Sequence, residues 1–370
     1  MVLLALIAAA AYVLARQSGL GGRPAAAGQG SSAGSGTRGG PPGAAGPGAT
    51  SRPTGDVPRT TVTARAPVVT TGTTLPLPGT TSTTPRPVAF PIGSASMQVA
   101  AQTPAGPVTV PVALYYPALS QGPGAAPDQA HGPYPLVVFS QGFGEYPSAY
   151  TVLIDTWAHA GFVVAAPTYT HTDPGPGLWR PDIVNHPAEL SATITAVLHD
   201  SSTPGGLLSG MVRPARVAVA GQSDGGDVSL AAAVNSCCRD PRIKAAVILS
   251  GAEYSVFGGS YYSQGSPPLL VTQGDRDSAA LGNAPVCSAN LYNAAPAPKY
   301  YLDLLGATHL PPYTQLNPWE AVVAKVSVEF LDAYLLGQHG QVLRMSTDGN
   351  VAGVSTITSA PTVPSPGGTC

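Results

Sequence analysis

A serine between two glycines stands where a strand pattern changes abruptly into a helix pattern. The apolar run Val217–Ala220 ends at Gly221, and Ser223 and Gly225 follow before apolar, helix-forming residues resume. A strand-to-helix turn this tight leaves no room for side chains two residues either side of the serine, and it exposes the serine hydroxyl at the carboxyl edge of the sheet. The amides of the following helix would face the same place. The pattern therefore predicts that Ser223 is a nucleophile, the alternative being an ordinary glycine-rich turn.

A histidine downstream of Ser223 is the next requirement. A serine hydroxyl is a weak nucleophile unless a base removes its proton, and the base needs an acid that orients it. In this structural context the chain order is serine, acid, histidine. Only His309 and His339 follow Ser223, and His309 lies between a predicted strand and the last predicted helix whereas His339 lies in a polar segment. We predict that His309 is the base.

Two carboxylates follow the predicted strand "PPLLVTQG" and could supply the acid. They are Asp275 and Asp277, on either side of Arg276. We favour Asp277 because it lies further into the loop that must reach His309. Asp275 stays open as an alternative, although it could instead cap the turn or pair with Arg276.

Attack on a carbonyl creates an oxyanion, which needs preorganised N–H donors. One donor is expected to be the backbone amide of Asp224, directly after the nucleophile, and the other that of Phe143 in the loop after the strand "YPLVVFS". A simple glycine turn is the alternative for that loop. The carboxylate of Asp224 suits a helix N-terminus, and we hypothesise that it repels anionic substrates.

Strand and helix patterns alternate along residues 90–337. Short apolar runs such as "YPLVVFS" and "FVVAAP" are typical of strands buried on both faces, and amphipathic segments separate them. The alternation predicts an α/β fold with a mostly parallel central sheet flanked by helices. An antiparallel N-terminal hairpin is predicted to turn at residues 104–106. The last helix is predicted to begin at Asn317-Pro318 and to stop at Gly337, after which residues 338–370 are predicted to form a polar tail.

The N-terminal quarter has a different composition. Residues 1–16 carry an apolar run that is too short to cross a bilayer and resembles a signal peptide or a short membrane anchor. Residues 17–89 are rich in Gly, Pro, Ser and Thr, which predicts a disordered linker, either a glycosylated stalk or a plain tether. We therefore expect a secreted or cell-envelope protein, with a possible membrane or cell-wall tether.

The charge and the cysteine spacing argue against a nucleic-acid-binding protein and against a zinc site. Only 10% of the residues are charged and the net charge is −2, so nucleic acid is not expected as a partner. No cysteine or histidine spacing suggests zinc, and neither a metal nor a cofactor is predicted. In an exported protein a disulfide between Cys238 and Cys287 is preferred, with Cys237 as the alternative partner of Cys287 and free thiols as a further alternative. The state of Cys370 is left open.

Several aromatic and histidine side chains follow the strand that ends near residue 166. Tyr169, His171 and Trp179 lie in a loop at the sheet edge where clefts form, so they could line a substrate site or belong to an ordinary surface loop. His186 and His199, at the two ends of the next helix, are expected to face solvent.

A family resemblance rests on four motifs in this order along the chain: "PLVVFSQGFG", "GQSDGG", "LLVTQGDRD" and "GATH". Residues 90–337 resemble a serine esterase of the α/β-hydrolase superfamily, in the group around platelet-activating-factor acetylhydrolase, chlorophyllase, dienelactone hydrolase-like enzymes and cutinases. The resemblance implies a triad of Ser223, Asp277 and His309. It also implies an oxyanion hole formed by the amides of Phe143 and Asp224.

The resemblance also sets the expected substrates, which are small-molecule esters, lipids or polyesters. The chain departs from the family at Gln141 and Gln222, where histidine is common, and neither position supplies chemistry itself. Dienelactone hydrolases use a cysteine nucleophile, so the serine makes that activity doubtful.

Taken together, these features favour an exported serine carboxylesterase or lipase-like hydrolase. A serine peptidase would use the same triad, but it usually carries a further propeller or cap domain, and the sequence has no blade-like repeat. A catalytically inactive cell-envelope display protein is the third hypothesis.

Overall fold

The computed structural model describes residues 89–278 and 283–370. The predicted signal peptide or anchor, residues 1–16, and residues 17–88 of the predicted linker lie outside these ranges. Within the described residues, no helix combines the length and apolar character needed to span a membrane.

The described residues contain ten strands in a single sheet and seven α-helices. The strands are β1 (Ile92–Thr103), β2 (Gly106–Pro117), β3 (Gly122–Pro123), β4 (Tyr134–Ser140), β5 (Val163–Pro167), β6 (Val212–Gln222), β7 (Ile243–Leu249), β8 (Leu269–Gly274), β9 (Lys299–Leu304) and β10 (Ser355–Thr358). The helices are α1 (Thr151–His159), α2 (His186–Ser202), α3 (Asp224–Val234), α4 (Pro285–Ala294), α5 (Pro311–Thr314), α6 (Pro318–Leu335) and α7 (Gln341–Asp348).

The sheet has the strand order β10-β9-β8-β7-β6-β4-β5-β2-β1-β3. From β5 through β4, β6, β7 and β8 to β9, every neighbouring pair is parallel. The strands β4, β5 and β8 are buried along their whole length, which explains their continuous apolar sequences. At one edge β1 and β2 form an antiparallel hairpin that turns between Thr103 and Gly106. The mostly parallel sheet and its N-terminal hairpin confirm the predicted fold class.

Helices cover both faces of the sheet and divide the core into two layers. One layer contains the buried side chains of α1 and α6, and the other contains those of α2, α3 and α4. In the first layer the indole Nε1 of Trp157 donates a 2.8 Å hydrogen bond to Ser327 Oγ, which ties α1 to α6. The parallel strands thus bring all their carboxyl ends to one rim, where the loops into the helices begin.

Helix α6 begins where the sequence predicted. The side chain of Asn317 accepts a 2.8 Å hydrogen bond from the Glu320 amide, and Pro318 occupies the first helical position. This cap satisfies an amide that has no acceptor within the helix. The helix ends at Leu335, two residues before Gly337, whose φ of 71° is the left-handed conformation that glycine favours.

The prediction of a polar tail over residues 338–370 is wrong. Residues 341–348 form α7, in which Met345 is fully buried, and residues 355–358 form β10, which pairs antiparallel with β9. The segment contains few apolar residues, but the ones it has are enough to cover the edge of the sheet.

The predicted disulfide between Cys238 and Cys287 is also wrong. Cys287 is bonded to Cys370, and Cys237 is bonded to its neighbour Cys238. The C-terminal segment crosses α4 after β10, because the Val363 amide donates to Asn293 Oδ1 at 2.7 Å. This path brings the last residue of the chain to Cys287.

Candidate active site

Ser223 occupies the sharp turn between β6 and α3. Its φ of 56° and ψ of −127° lie outside the regions that L-residues normally adopt, and such strain is characteristic of functional sites. A Cβ added at Gly221 would overlap the carbonyl oxygen of Gly225, and one added at Gly225 would overlap that of Ser140. The two glycines are therefore required by space, as the motif predicted.

The structure brings Ser223, His309 and Asp277 together. The Nε2 atom of His309 lies 2.8 Å from Ser223 Oγ, and its Nδ1 atom lies 2.7 Å from Asp277 Oδ2. The Asp277 side chain is completely buried, whereas the His309 side chain is 24% exposed. This arrangement allows one imidazole nitrogen to accept the serine proton while the other donates to a carboxylate.

Asp275 and Asp277 have different surroundings. The exposed Asp275 accepts a 2.6 Å hydrogen bond from the Gly306 amide, which closes a turn between two loops. Asp277 Oδ2 accepts a second hydrogen bond, of 2.8 Å, from Gln273 Nε2. Sequence reasoning did not single out Gln273. Its position at the end of β8, four residues before Asp277, could have indicated this contact.

The loop after β4 packs against the nucleophile. A Cβ on Gly142 would lie 3.3 Å from that of Ser223 and 2.6 Å from Gln222 Oε1. The Gly142 amide donates to Tyr150 Oη at 3.2 Å and the Gly144 amide to the Thr172 carbonyl at 2.7 Å. The amide of Phe143 lies between these two anchored amides. The loop is therefore held in place on both sides of the predicted donor.

Asp224 is the first residue of α3, where backbone N–H groups have no acceptor within the helix. Its buried carboxylate accepts two hydrogen bonds from Arg180, one of 2.8 Å from Nε and one of 2.6 Å from Nη2. The Arg180 guanidinium also lies 5.1 Å from the centre of the Tyr254 ring. The negative charge of Asp224 is thus paired, which sequence reasoning did not foresee.

Gln222 connects the histidine to the core. Its Nε2 atom lies 3.2 Å from both the Nε2 atom and the carbonyl oxygen of His309. Its Oε1 atom accepts a 2.8 Å hydrogen bond from Tyr150 Oη. Burial raises the pKa of Tyr150 far above its ordinary value, so this phenol stays protonated and remains a donor. Sequence reasoning noted Gln222 only as a departure from the family.

The three side chains predicted to line a substrate site lie in different environments. The prediction that Tyr169 lines a substrate site is wrong, because its side chain is buried. Its Oη lies 2.8 Å from Ser140 Oγ, and its ring stacks on His186. Trp179 is 57% exposed and the His171 side chain is 58% exposed. They lie on the loop whose Thr172 carbonyl anchors Gly144.

Comparison with known proteins gives one family model and a similar solved structure. Residues 124–281 match the family model described as Chlorophyllase, a range that includes Ser223 and Asp277. The structure of a ferulic acid esterase from Streptomyces cinnamoneus superposes with a TM-score of 0.53. That superposition covers 70% of this chain and 93% of the other, at 22% sequence identity. The chain has the α/β-hydrolase fold.

No curated protein matches this chain. The chlorophyllase match supports an ester hydrolase, and the esterase structure shows the shared fold. An α/β-hydrolase fold supports many chemistries, so the reaction must be argued from the site itself.

Proposed function

We propose that this protein is a serine carboxylesterase that works through an acyl-serine intermediate. The observation that carries the proposal is the continuous hydrogen-bonded series from Ser223 Oγ through His309 to Asp277 Oδ2, with distances of 2.8 and 2.7 Å. In it the serine can lose its proton to His309 Nε2 as its oxygen attacks the ester carbonyl carbon. Asp277 orients the imidazole and stabilises its charged form.

The tetrahedral intermediate carries a negative charge on the former carbonyl oxygen. We assign the amides of Phe143 and Asp224 as its donors, supported by the packing of the Gly142 loop on Ser223. Collapse of the intermediate breaks the bond to the alcohol, which takes the proton from His309. Water then attacks the acyl-serine by the same route and releases the acid.

The substrate class follows from the surroundings of the nucleophile. Arg180 is paired with Asp224, so among the described residues this cation is not available to a substrate carboxylate. This pairing, together with the chlorophyllase match, favours neutral carboxylic esters. Small-molecule, lipid and polyester substrates all satisfy that description.

The location is part of the proposal. Both disulfides favour an oxidising compartment, and the apolar run at residues 1–16 favours export. We propose that the protein is secreted or attached to the cell envelope. Fractionation of cells that express the full chain tests this, because recovery in the cytoplasm alone would contradict it.

The decisive experiment labels the full-length protein with a fluorophosphonate and measures hydrolysis of p-nitrophenyl esters of graded acyl length. We expect covalent labelling and turnover in the wild type, and a loss of about 10⁴-fold or more in turnover, with no labelling, in Ser223→Ala. The exposed Ser263→Ala is the matched control and should keep both properties. A wild type that neither labels nor hydrolyses any ester would favour the inactive display protein. Faster cleavage of peptides than of esters would favour a peptidase.

A further inference from the structure

Three buried side chains meet on one face of the segment that leads into α2. Asp182, His186 and Glu189 are spaced by four and three residues, and their nearest carboxylate and imidazole atoms all lie within 4.8 Å of one another. Their exposed fractions are 7%, 2% and 1%. The expectation that His186 faces solvent is therefore wrong, whereas His199 at the other end of α2 is exposed.

Neighbouring residues orient Asp182 and His186 so that Asp182 Oδ2 and His186 Nε2 point into the cluster. Asn185 Nδ2 donates a 2.8 Å hydrogen bond to Asp182 Oδ1, so that Oδ2 faces the imidazoles. His186 Nε2 lies 3.8 Å from this Oδ2 atom and 3.5 Å from Thr172 Oγ1, and the ring is held by stacking on Tyr169 with ring centres 4.2 Å apart. The orientation of both side chains is thus fixed by neighbours outside the cluster, as is typical of metal ligands.

Glu189 is the feature that hydrogen bonding does not explain. Its Oε2 atom is buried and accepts no hydrogen bond within the described residues. A buried carboxylate oxygen without a partner is costly, and each such atom in a native structure requires an explanation. Glu189 and Asp182 also line a cavity of about 190 Å³ between the cluster and the turn of the β1–β2 hairpin. An ion together with its bound water fits that space.

We propose that Asp182, His186 and Glu189 bind one divalent transition-metal ion, such as Zn²⁺ or Mn²⁺. One imidazole nitrogen and two carboxylates form a donor set that these ions favour. A metal at about 2.1 Å from each donor needs the donor atoms about 3–4 Å apart. Side-chain shifts of about 1 Å would therefore close the site. Exposed His171, whose Nδ1 lies 3.4 Å from Asp182 Oδ2, marks the route from solvent.

The metal site lies on the segment that supports the candidate active site. Arg180, two residues before Asp182, holds the carboxylate of Asp224, and the loop from residue 168 leads to the Thr172 carbonyl that anchors Gly144. The ion would therefore stabilise this segment, a structural role that does not depend on the proposed esterase activity.

The test uses the full chain, without an affinity tag, after removal of metals with EDTA. Zn²⁺ or Mn²⁺ is titrated by calorimetry, the retained metal is measured by mass spectrometry after gel filtration, and thermal unfolding is recorded with and without metal. We expect one equivalent to be retained and the unfolding temperature to rise by several degrees, because a ligand that binds only the folded state stabilises it. Glu189→Gln keeps the shape of the side chain and should weaken binding about tenfold or more, as should His186→Asn. His199→Asn, on the exposed side of α2, is the matched control and should bind like the wild type.

A wild type that retains no metal at any concentration tested would overturn the proposal. So would Glu189→Gln and His186→Asn variants that bind as tightly as the wild type, because the metal would then lie elsewhere. Circular dichroism checks that each variant folds. If one variant does not fold, the metal stoichiometry and the shift in unfolding temperature of the wild type and of the other variant still test the proposal. None of these measurements requires ester hydrolysis, so the two proposals can fail separately.

Discussion

The Arg180 guanidinium holds the Asp224 carboxylate through two hydrogen bonds, of 2.8 and 2.6 Å, directly beside the serine at position 223. A free carboxylate at this position would oppose the charge that develops on an oxyanion bound to the Asp224 amide. The pair removes that opposition. It also changes our expectation that Asp224 repels anionic substrates, because its charge is already compensated.

We predict that Arg180→Ala lowers kcat on neutral esters about tenfold or more, because it leaves a buried carboxylate unpaired next to the oxyanion. Asp224→Asn should have a smaller effect, and the double variant should recover most of the activity lost in Arg180→Ala. A double-mutant cycle on kcat measures this coupling. Arg242→Ala is the control, because Arg242 forms a similar pair with Asp240 away from Ser223. Additive effects of the two substitutions would contradict the prediction.

The second prediction separates the two carboxylates after β8. Asp277→Asn should lower kcat about 10³- to 10⁴-fold, because the amide cannot stabilise the charged imidazole of His309 and would favour the wrong tautomer. Asp275→Asn should change kcat less than about tenfold, because Asp275 is exposed and accepts its hydrogen bond from the Gly306 amide, not from His309. Steady-state kinetics of both variants on one ester decide the assignment, and a larger loss in Asp275→Asn would reverse it.

The third prediction concerns the loop that carries the Phe143 amide. A methyl group at position 142 would lie 2.6 Å from Gln222 Oε1 and 3.0 Å from Tyr150 Oη, so Gly142→Ala must displace either the loop or the Gln222 side chain that contacts His309. A displacement of this size should lower kcat about 10- to 100-fold and leave the fold intact. Gly340→Ala is the matched control, because a Cβ at Gly340 has no neighbour within 4 Å. Unchanged kcat in Gly142→Ala would argue against an oxyanion hole in this loop.

The sequence was most informative where a local pattern determines the backbone. Gly221 and Gly225 predict the turn at Ser223 because any side chain there would overlap a carbonyl oxygen. Continuous apolar strands predict the parallel sheet, and chain order then places His309 after Ser223. Each of these inferences needs only neighbouring residues or the order of elements along the chain.

Contacts between distant segments could not be predicted in the same way. Arg180 and Asp224 are 44 residues apart, and nothing in either local sequence indicates that they pair. The Cys287–Cys370 bond depends on the path of the last residues across α4, which the polar composition concealed. The cluster of Asp182, His186 and Glu189 was also missed, because sequence reasoning expected His186 to face solvent and the burial of this segment depends on its packing.

The fourth prediction tests the path of the C-terminal segment. Peptide mapping without reduction should recover Cys370 linked to Cys287. Cys370→Ser should lower the free energy of unfolding by about 2–4 kcal/mol, because the bond closes a loop of 83 residues. Denaturant titration of the wild type and the variant measures the difference. A peptide that links Cys238 to Cys287 would contradict the pairing.

The last prediction concerns the pH dependence of stability where α7 packs on α6. Burial, together with the neighbouring carboxylate of Asp348, raises the pKa of Glu329 to about 8. The folded protein therefore binds this proton more tightly than the unfolded chain, so its contribution to stability is full at low pH and is lost as the pH rises towards 8. Glu329→Gln cannot titrate, and it should be more stable than the wild type at pH 8 by on the order of 1 kcal/mol or more. Urea unfolding at pH 5, 6.5 and 8 gives, for each protein, the slope of the free energy of unfolding against pH. Parallel slopes would mean that the Glu329 carboxyl titrates normally, and they would argue against the packing of residues 341–348 on α6 that buries it.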